Sequence, residues 1–432
     1  MTSPEPTPVI GHPSTTERSA DPQDRSALVI VATTFVTLAV IYGVWYSYSV
    51  FLVALVREFG WSRSLVSGAF SFFVLVHGGL GPVVGWMARR FGPRRLFLIG
   101  GVVMGAGLAL TAETSQVWHL YLAFGGITAV GISLAGWVPA VVLVQGWSPQ
   151  RFGTAMGVAS AGIGVGILGV IPLAQFLIDR WGWQWAFRME AVLTVGWLLP
   201  ASYWLIRNPP GLTGSGLGAR ESPAAEAQAS WTISDAIRTW RFWGVAGMYF
   251  TANFVTQMLM IHQIAYLVDH AVPPMVAATI GGTVGLVTIG AKIGWGILSD
   301  RIGRETTGTL AFGCVLASIG MLVLAGRHPT SSLAFVYAVL IAFGYGVLSP
   351  VFPAVASDLF AGPGFSTIYG ALYGVICLGL AAGAWSAGKI FDVTGTYSLA
   401  LWIGAGMAVL TPALLWVAAP RRPNPAPLRN DQ

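Results

Sequence analysis

The sequence predicts an all-α polytopic membrane protein with about twelve helices in two six-helix bundles. Three observations carry that prediction: the composition, a series of long apolar runs, and one charged loop pattern that recurs half a chain apart. Hydrophobic residues make up 55% of the 432 and charged residues 9%, whereas soluble domains carry about 25% charged residues. A hydrocarbon core is crossed by about 20 apolar residues in a helix. The runs here have that length.

Residues 1–25 are rich in Pro, Ser and Thr and lack an apolar core. A cleaved signal peptide needs such a core, so residues 1–26 are expected to form a disordered cytosolic tail. Spans are then predicted over 27–55, 64–88, 96–113, 117–145, 153–178 and 186–206. A second set follows at 242–268, 274–298, 307–326, 332–356, 367–388 and 397–419. The domains follow from these limits: an N-terminal bundle over 27–206 and a C-terminal bundle over 242–419. Between them, residues 207–241 read as a cytosolic linker by their Pro, Gly and Ser content. Residues 420–432 form a second cytosolic tail.

With both termini cytosolic, arginines such as Arg94, Arg95, Arg207, Arg238 and Arg421 fall on the inner side. Only Arg57, Arg63, Arg180, Arg188, Arg327 and Lys389 fall outside, which fits the positive-inside rule for an inner (plasma) membrane. Trp61, Trp118, Trp181, Trp183 and Trp185 would form an outer aromatic belt. The net charge of +6 thus reflects loop arginines and not a nucleic-acid surface. Cys314 and Cys377 lie inside apolar runs and imply no disulfide framework. The chain has no HExxH, nucleophile elbow, Walker loop or paired intramembrane carboxylates, so no enzyme, metal or cofactor is expected. No obligate protein partner is evident either.

The repeated loop reads Gly85-x-x-x-Arg89-Arg90-x-Gly92 after the second span and Gly296-x-x-x-Asp300-Arg301-x-Gly303-Arg304 after the eighth. The first glycine allows close helix contact, and Asp300 with Arg301 can latch an inner gate. These loops resemble those of the major facilitator superfamily over residues 27–419. The closer likeness is to bacterial monocarboxylate transporters and oxalate/formate antiporters. It rests on Phe59 to Arg63, Gly182 to Phe187, Arg207 to Pro210, Asp358 to Phe360, Thr367 to Gly370 and Phe391 to Tyr397. The resemblance implies two bundles rocking about a central site, as in transporters built from parallel halves.

Several positions depart from the family pattern. Arg89 stands where the loop usually has aspartate, which shifts the inner latch onto Asp300 and Arg301. Lys292 replaces an arginine of the eighth helix, and Thr288 stands where animal members have an aspartate one turn earlier. Tyr46 sits where those members carry a lysine on the first helix. The eleventh helix has no cation.

Lys292 is one of only two lysines among 23 basic residues. A charge within a span is costly and marks function by default. It can pair with a substrate carboxylate, or else snorkel to headgroups or pair with an acid. Asp300 lies eight residues on, about 12 Å along a helix. Other acids are absent from the inner part of the spans, Glu190 being assigned to an outer structural pair with Arg188.

The resemblance places His262 at a substrate-facing position of lactate-type transporters. An imidazole there could bond an acid or exchange a proton, or simply bond a backbone carbonyl. His77 reads as packing. Trp137, Phe343, Tyr345, Tyr373 and Tyr46 are aromatic candidates for the cavity wall, with packing as their alternative. Gly153, Gly157, Gly162, Gly164 and Gly166 serve helix contact.

The expected function is secondary active transport of a small monocarboxylate such as lactate or pyruvate, by proton symport with alternating access. The proton would reside on the substrate, His262 or Lys292. The alternatives are an organic anion exchanger, an exporter of organic acids or drugs, and a non-transporting sensor of carboxylates.

Overall fold

The computed structural model describes residues 22–148, 152–209, 231–328, 331–360 and 365–418. The described residues are helical and contain no strand. Twelve long helical segments order the chain. The first six are α1 (Pro22–Phe59), α2 (Arg63–Phe91), α3 (Pro93–Thr111), α4 (Val117–Trp147), α5 (Phe152–Trp181) and α6 (Trp183–Pro200, continuing through Ala201–Leu205). The second six are α7 (Trp240–Asp269), α8 (Pro274–Ile302), α9 (Arg304–Arg327), α10 (Ser331–Leu359), α11 (Phe365–Thr394) and α12 (Ser398–Ala418). Ten of them are long and apolar enough to cross a membrane. The other two, α6 and α7, carry more polar groups: Gln184, Arg188 and Glu190 on α6, and Asn253, Gln257, His262 and Gln263 on α7. The protein is a multi-pass membrane protein.

Helix ends depart from the expected spans in a consistent way. Helix α2 runs on to Phe91 and α8 to Ile302, so Arg89, Arg90, Asp300 and Arg301 stand in last helical turns and not in loops. Hydropathy marks the apolar stretch, whereas backbone hydrogen bonding continues until a residue breaks it. Here the breaker is glycine in both halves. Gly92 has φ +81° and Gly303 has φ +90°, a region that only glycine enters without strain. The expected linker also shrinks: Ile233–Ile237 forms a helical turn capped by Thr232, and α7 starts at Trp240. Residues 1–21, 210–230 and 419–432 lie outside the described residues, and with them most of both tails and of the linker.

The two halves pack alike. Helix α1 lies along α5, and α7 lies along α11 in the same relation. In the first pair, Gly162 and Gly166 press on the carbonyls of Phe35 and Ala39; in the second, Gly379 and Gly383 press on those of Phe250 and Phe254. Both contacts use two glycines four residues apart against two carbonyls four residues apart, so α5 and α11 each present a contact face without side chains at those positions. Such close approach compensates for the weak hydrophobic drive between helices in lipid.

Between the halves, α2 meets α11 and α5 meets α8. Both seams are sealed over the half far from the chain ends. Gly164 and Gly285 face each other across α5 and α8, and Gly388 sits on the backbone of Arg63. Nearer the chain ends, a Cβ added at Gly157, in line with Gly164 on α5, or at Gly370 or Gly374, in line with Gly388 on α11, would meet nothing within 4 Å. The bundles are therefore closed at the far end and parted at the end where the termini lie. Replacing Gly383 with Val should destabilise the fold by about 1–3 kcal/mol through overpacking, while Gly370→Ala should change little. Melting of the detergent-solubilised protein reads both.

Candidate functional site

Lys292 is half-buried on α8, where Gly346 lets α10 come close: a Cβ there would lie 2.8 Å from Ala291 Cβ and 3.4 Å from the Lys292 nitrogen. That approach brings Tyr345 to the lysine. Nζ lies 5.9 Å from the Tyr345 ring centroid, within cation–π range. The Tyr345 hydroxyl is 2.7 Å from that of Tyr46 on α1, with the rings edge-on at 6.2 Å. Tyr46 is 6% exposed, and Tyr42 and Tyr373 lie close enough to act on it electrostatically. Lysine and phenols from α1, α8, α10 and α11 thus converge where the two bundles meet.

No carboxylate pairs with Lys292 among the described residues. The ion pairs there include Arg63–Asp269, Arg188–Glu113, Arg304–Asp300 and Arg304–Asp358, none of which involves Lys292. An ammonium with a neutral aromatic face and hydroxyls around it can take an anion. The ammonium supplies charge, and phenolic hydrogens can turn to donate to carboxylate oxygens. Burial of the group among apolar helices strengthens that attraction.

The other expected site residues divide. Tyr46, Tyr345 and Tyr373 join the lysine group. Thr288 does not offer its hydroxyl, which donates to the Val284 carbonyl one turn back at 2.6 Å. Phe343 is 38% exposed and stands edge-on to Trp295, because two residues along a helix point nearly opposite ways. Trp137 follows a break in α4 at Gly136 and makes no ring or hydrogen-bond contact with the lysine group among the described residues.

His262 is 4% exposed, and both of its ring nitrogens are engaged. Nε2 lies 2.8 Å from the Ala384 carbonyl and Nδ1 2.9 Å from the Tyr397 hydroxyl. The backbone-bonded alternative is the one realised, on the far side of the lysine group. His77 is likewise internal, with Nδ1 3.0 Å from Ser133 Oγ. Arg188 pairs with Glu113 at 2.7 Å and not with Glu190. Trp183 is buried rather than part of an exposed belt.

The far end holds an arrangement the sequence reading did not assemble. Arg63, the first residue of α2, crosses to the second bundle. Its Nη2 donates to Asp269 at 2.7 Å and its Nη1 to the Tyr397 hydroxyl at 2.6 Å. The guanidinium lies 3.7 Å over the Phe391 ring. Asp392 completes the clasp, accepting from the backbone nitrogens of Arg63 and Ser64 at 2.8 Å each. A carboxylate on donors at a helix N-terminus is stabilised by charge and hydrogen bonding together. The signal was present: Phe59 to Arg63 and Phe391 to Tyr397 were two separate motifs, and the fold brings them together.

At the end of the termini, Arg304 and not Arg301 carries the second-half latch. It donates to Asp300 at 2.7 Å, to Ser299 at 2.9 Å and to Asp358 at 3.2 Å. Arg301 forms no ion pair among the described residues. In the first half, Arg94 bonds the Ser202 and Tyr203 carbonyls at 2.9 Å, and Arg90 lies near the rings of Trp86 and Phe91. The side chain of Arg89 lies outside the described residues. Gly85 faces Val138 and Gly296 faces Pro350 at ordinary contact distance. Both latches stay within their own bundle, as expected where the bundles have parted.

The model of the Major Facilitator Superfamily matches residues 34–360 and 295–432. Monocarboxylate transporter 3 of Rattus norvegicus is 28% identical over 402 residues, covering 91% of this chain and 80% of that protein. The Oxalate:formate antiporter of Oxalobacter formigenes is 27% identical over 338 residues, covering 75% of each. Among solved structures, a bacterial homolog of the human lysosomal transporter Spinster superposes with a TM-score of 0.66. It covers 92% of this chain and 96% of the other at 17% identity, a likeness of fold.

Arg63→Gln removes two of the charged contacts that close the far end, each contributing about 1.5–3 kcal/mol. Spin labels at Ser115 and His328, exposed at that end of opposite bundles, should then show a longer-distance population absent from the parent protein.

Proposed function

The chain belongs to the major facilitator superfamily, and we propose that it carries a small monocarboxylate across the cell membrane by alternating access, with Lys292 as the anion's anchor. The transporter class rests on the family and on relatives that are transporters of monocarboxylates or of oxalate and formate. The observation that carries the substrate reading is the unpaired ammonium beside Tyr345 and Tyr46 at the junction of the bundles.

One ammonium balances one carboxylate. A neutral pair crosses the low-dielectric midpoint of the cycle far more easily than a lone cation. Tyr46 and Tyr345 belong to different bundles, and a carboxylate placed between their hydroxyls would draw the bundles together over it. The termini would lie in the cytosol, so the far end faces outward and the parted end opens inward. Release of the anion to the inside would leave Lys292 hydrated. The empty carrier must then return with that charge compensated, which favours movement of a proton with the acid.

A second reading is exchange of one acid for another. It is favoured by the antiporter relative and by the same unpaired lysine, whose return is easiest with an anion aboard.

Uptake of labelled lactate, pyruvate and acetate into proteoliposomes separates the readings. Stimulation by an inward proton gradient marks symport, and dependence on internal acid marks exchange. Lys292→Gln should abolish saturable uptake, and Lys292→Arg should retain part of it. Tyr345→Phe should weaken apparent affinity about tenfold, as loss of one hydrogen bond to a charged group does. Uptake by Lys292→Gln equal to the parent would overturn the anchor.

A further inference from the structure

His262 is not placed to touch a substrate at Lys292, yet it is built into the clasp that closes the far end. A backbone carbonyl only accepts, so Nε2 carries the hydrogen that goes to the Ala384 oxygen. If the ring is neutral, Nδ1 then has only a lone pair, and Tyr397 must donate its hydroxyl hydrogen to it. The same Tyr397 oxygen accepts from Arg63 Nη1. The bonds run in a single direction: Arg63 to Tyr397, Tyr397 to His262, His262 to the Ala384 carbonyl. They join α2 of one bundle to α7 and α11 of the other.

We propose that His262 is the proton-binding site that couples this clasp to protons, so that the closed far end requires a neutral ring and protonation favours the open one. This rests on the transporter reading above. A second hydrogen on Nδ1 reverses the bond to Tyr397. The phenol oxygen then faces two donors, its own hydrogen loses its acceptor, and two cations, Arg63 and His262, flank one oxygen. No carboxylate touches the ring to offset the added charge. Asp392 and Arg63 act on it only electrostatically, and Asp269 is already held by Arg63. Around the small cavity beside the ring, Tyr266 and Gln263 come from its own helix and Tyr397 from the α11–α12 turn, while α9 and α12 contribute Leu322, Ala400 and Leu401. Opening the clasp separates Arg63 from Tyr397 and relieves both conflicts. A proton gained from the outside when the far end is open must therefore leave the ring before the clasp reforms.

The test uses the full chain in proteoliposomes, with Cys314→Ser and Cys377→Ala to remove the native thiols. A membrane-impermeant maleimide probes Ser67→Cys, at the seam where Ser67 Oγ abuts Gly388. Glutamine can mimic a neutral imidazole, donating through its amide to Ala384 and accepting from Tyr397. The attacking species is the thiolate, whose fraction falls with acid, so each labelling rate is divided by that of free cysteine at the same pH. An imidazole in water is half-protonated near pH 6.5, so the normalised rate with His262 present should rise up to about tenfold between about pH 7.5 and 5.5. In His262→Gln the normalised rate should stay at its slow value across that range, and exchange of labelled acid for unlabelled acid should persist. Normalised labelling of His262→Gln that rises with acid as in the parent would overturn the proposal. So would normalised parent labelling that does not respond to pH. Loss of acid exchange in the parent itself would instead refute the transporter reading.

Discussion

An uncompensated positive charge at the junction of two apolar bundles is the constraint around which this protein is organised. Lys292 has no carboxylate among the described residues, and its neighbours are phenols that can solvate an ion without neutralising it. Such a group is tolerated only while water or an anion reaches it. Lys292 keeps partial exposure in this conformation. In the transport cycle proposed above, closing the parted end over it without a counter-ion would strand the charge, so conformation and occupancy would be coupled by electrostatics.

The glycine pairs explain how two bundles can move while each stays whole. Inside each bundle, α1 on α5 and α7 on α11 touch backbone to backbone, an arrangement that does not deform gradually because there is no side-chain layer to yield. Across the seams, contacts are sealed at one end and absent at the other. Motion is then confined to the seams, as rigid-body rocking requires.

The fold was almost fully legible in the sequence, since twelve apolar runs and a repeated charged loop are long-range signals that survive local ambiguity. Helix ends were less so, because Asp300, Arg301 and Arg90 read as loop residues by charge although backbone bonding holds them in helix. The site was legible in part. Lys292 stood out by cost, and Tyr46, Tyr345 and Tyr373 as aromatic residues on other spans. Phe343 and Thr288 share those spans but point elsewhere or bond their own backbone, which only the rotation of each helix reveals. His262 was visible as an intramembrane imidazole, but its partners Ala384 and Tyr397 lie more than a hundred residues away. The clasp escaped for the same reason: Arg63, Asp269, Asp392 and Tyr397 are unremarkable one by one.

Asp392 has a consequence of its own. It grips the main chain of the opposite bundle through the amides of Arg63 and Ser64, so half of that bond is written in no side chain at all. Sequence drift at position 64 leaves those amides in place, whereas drift at 392 removes the grip outright. This one grip is thus genetically lopsided: at Asp392 one bundle supplies the side chain and the other supplies only its backbone.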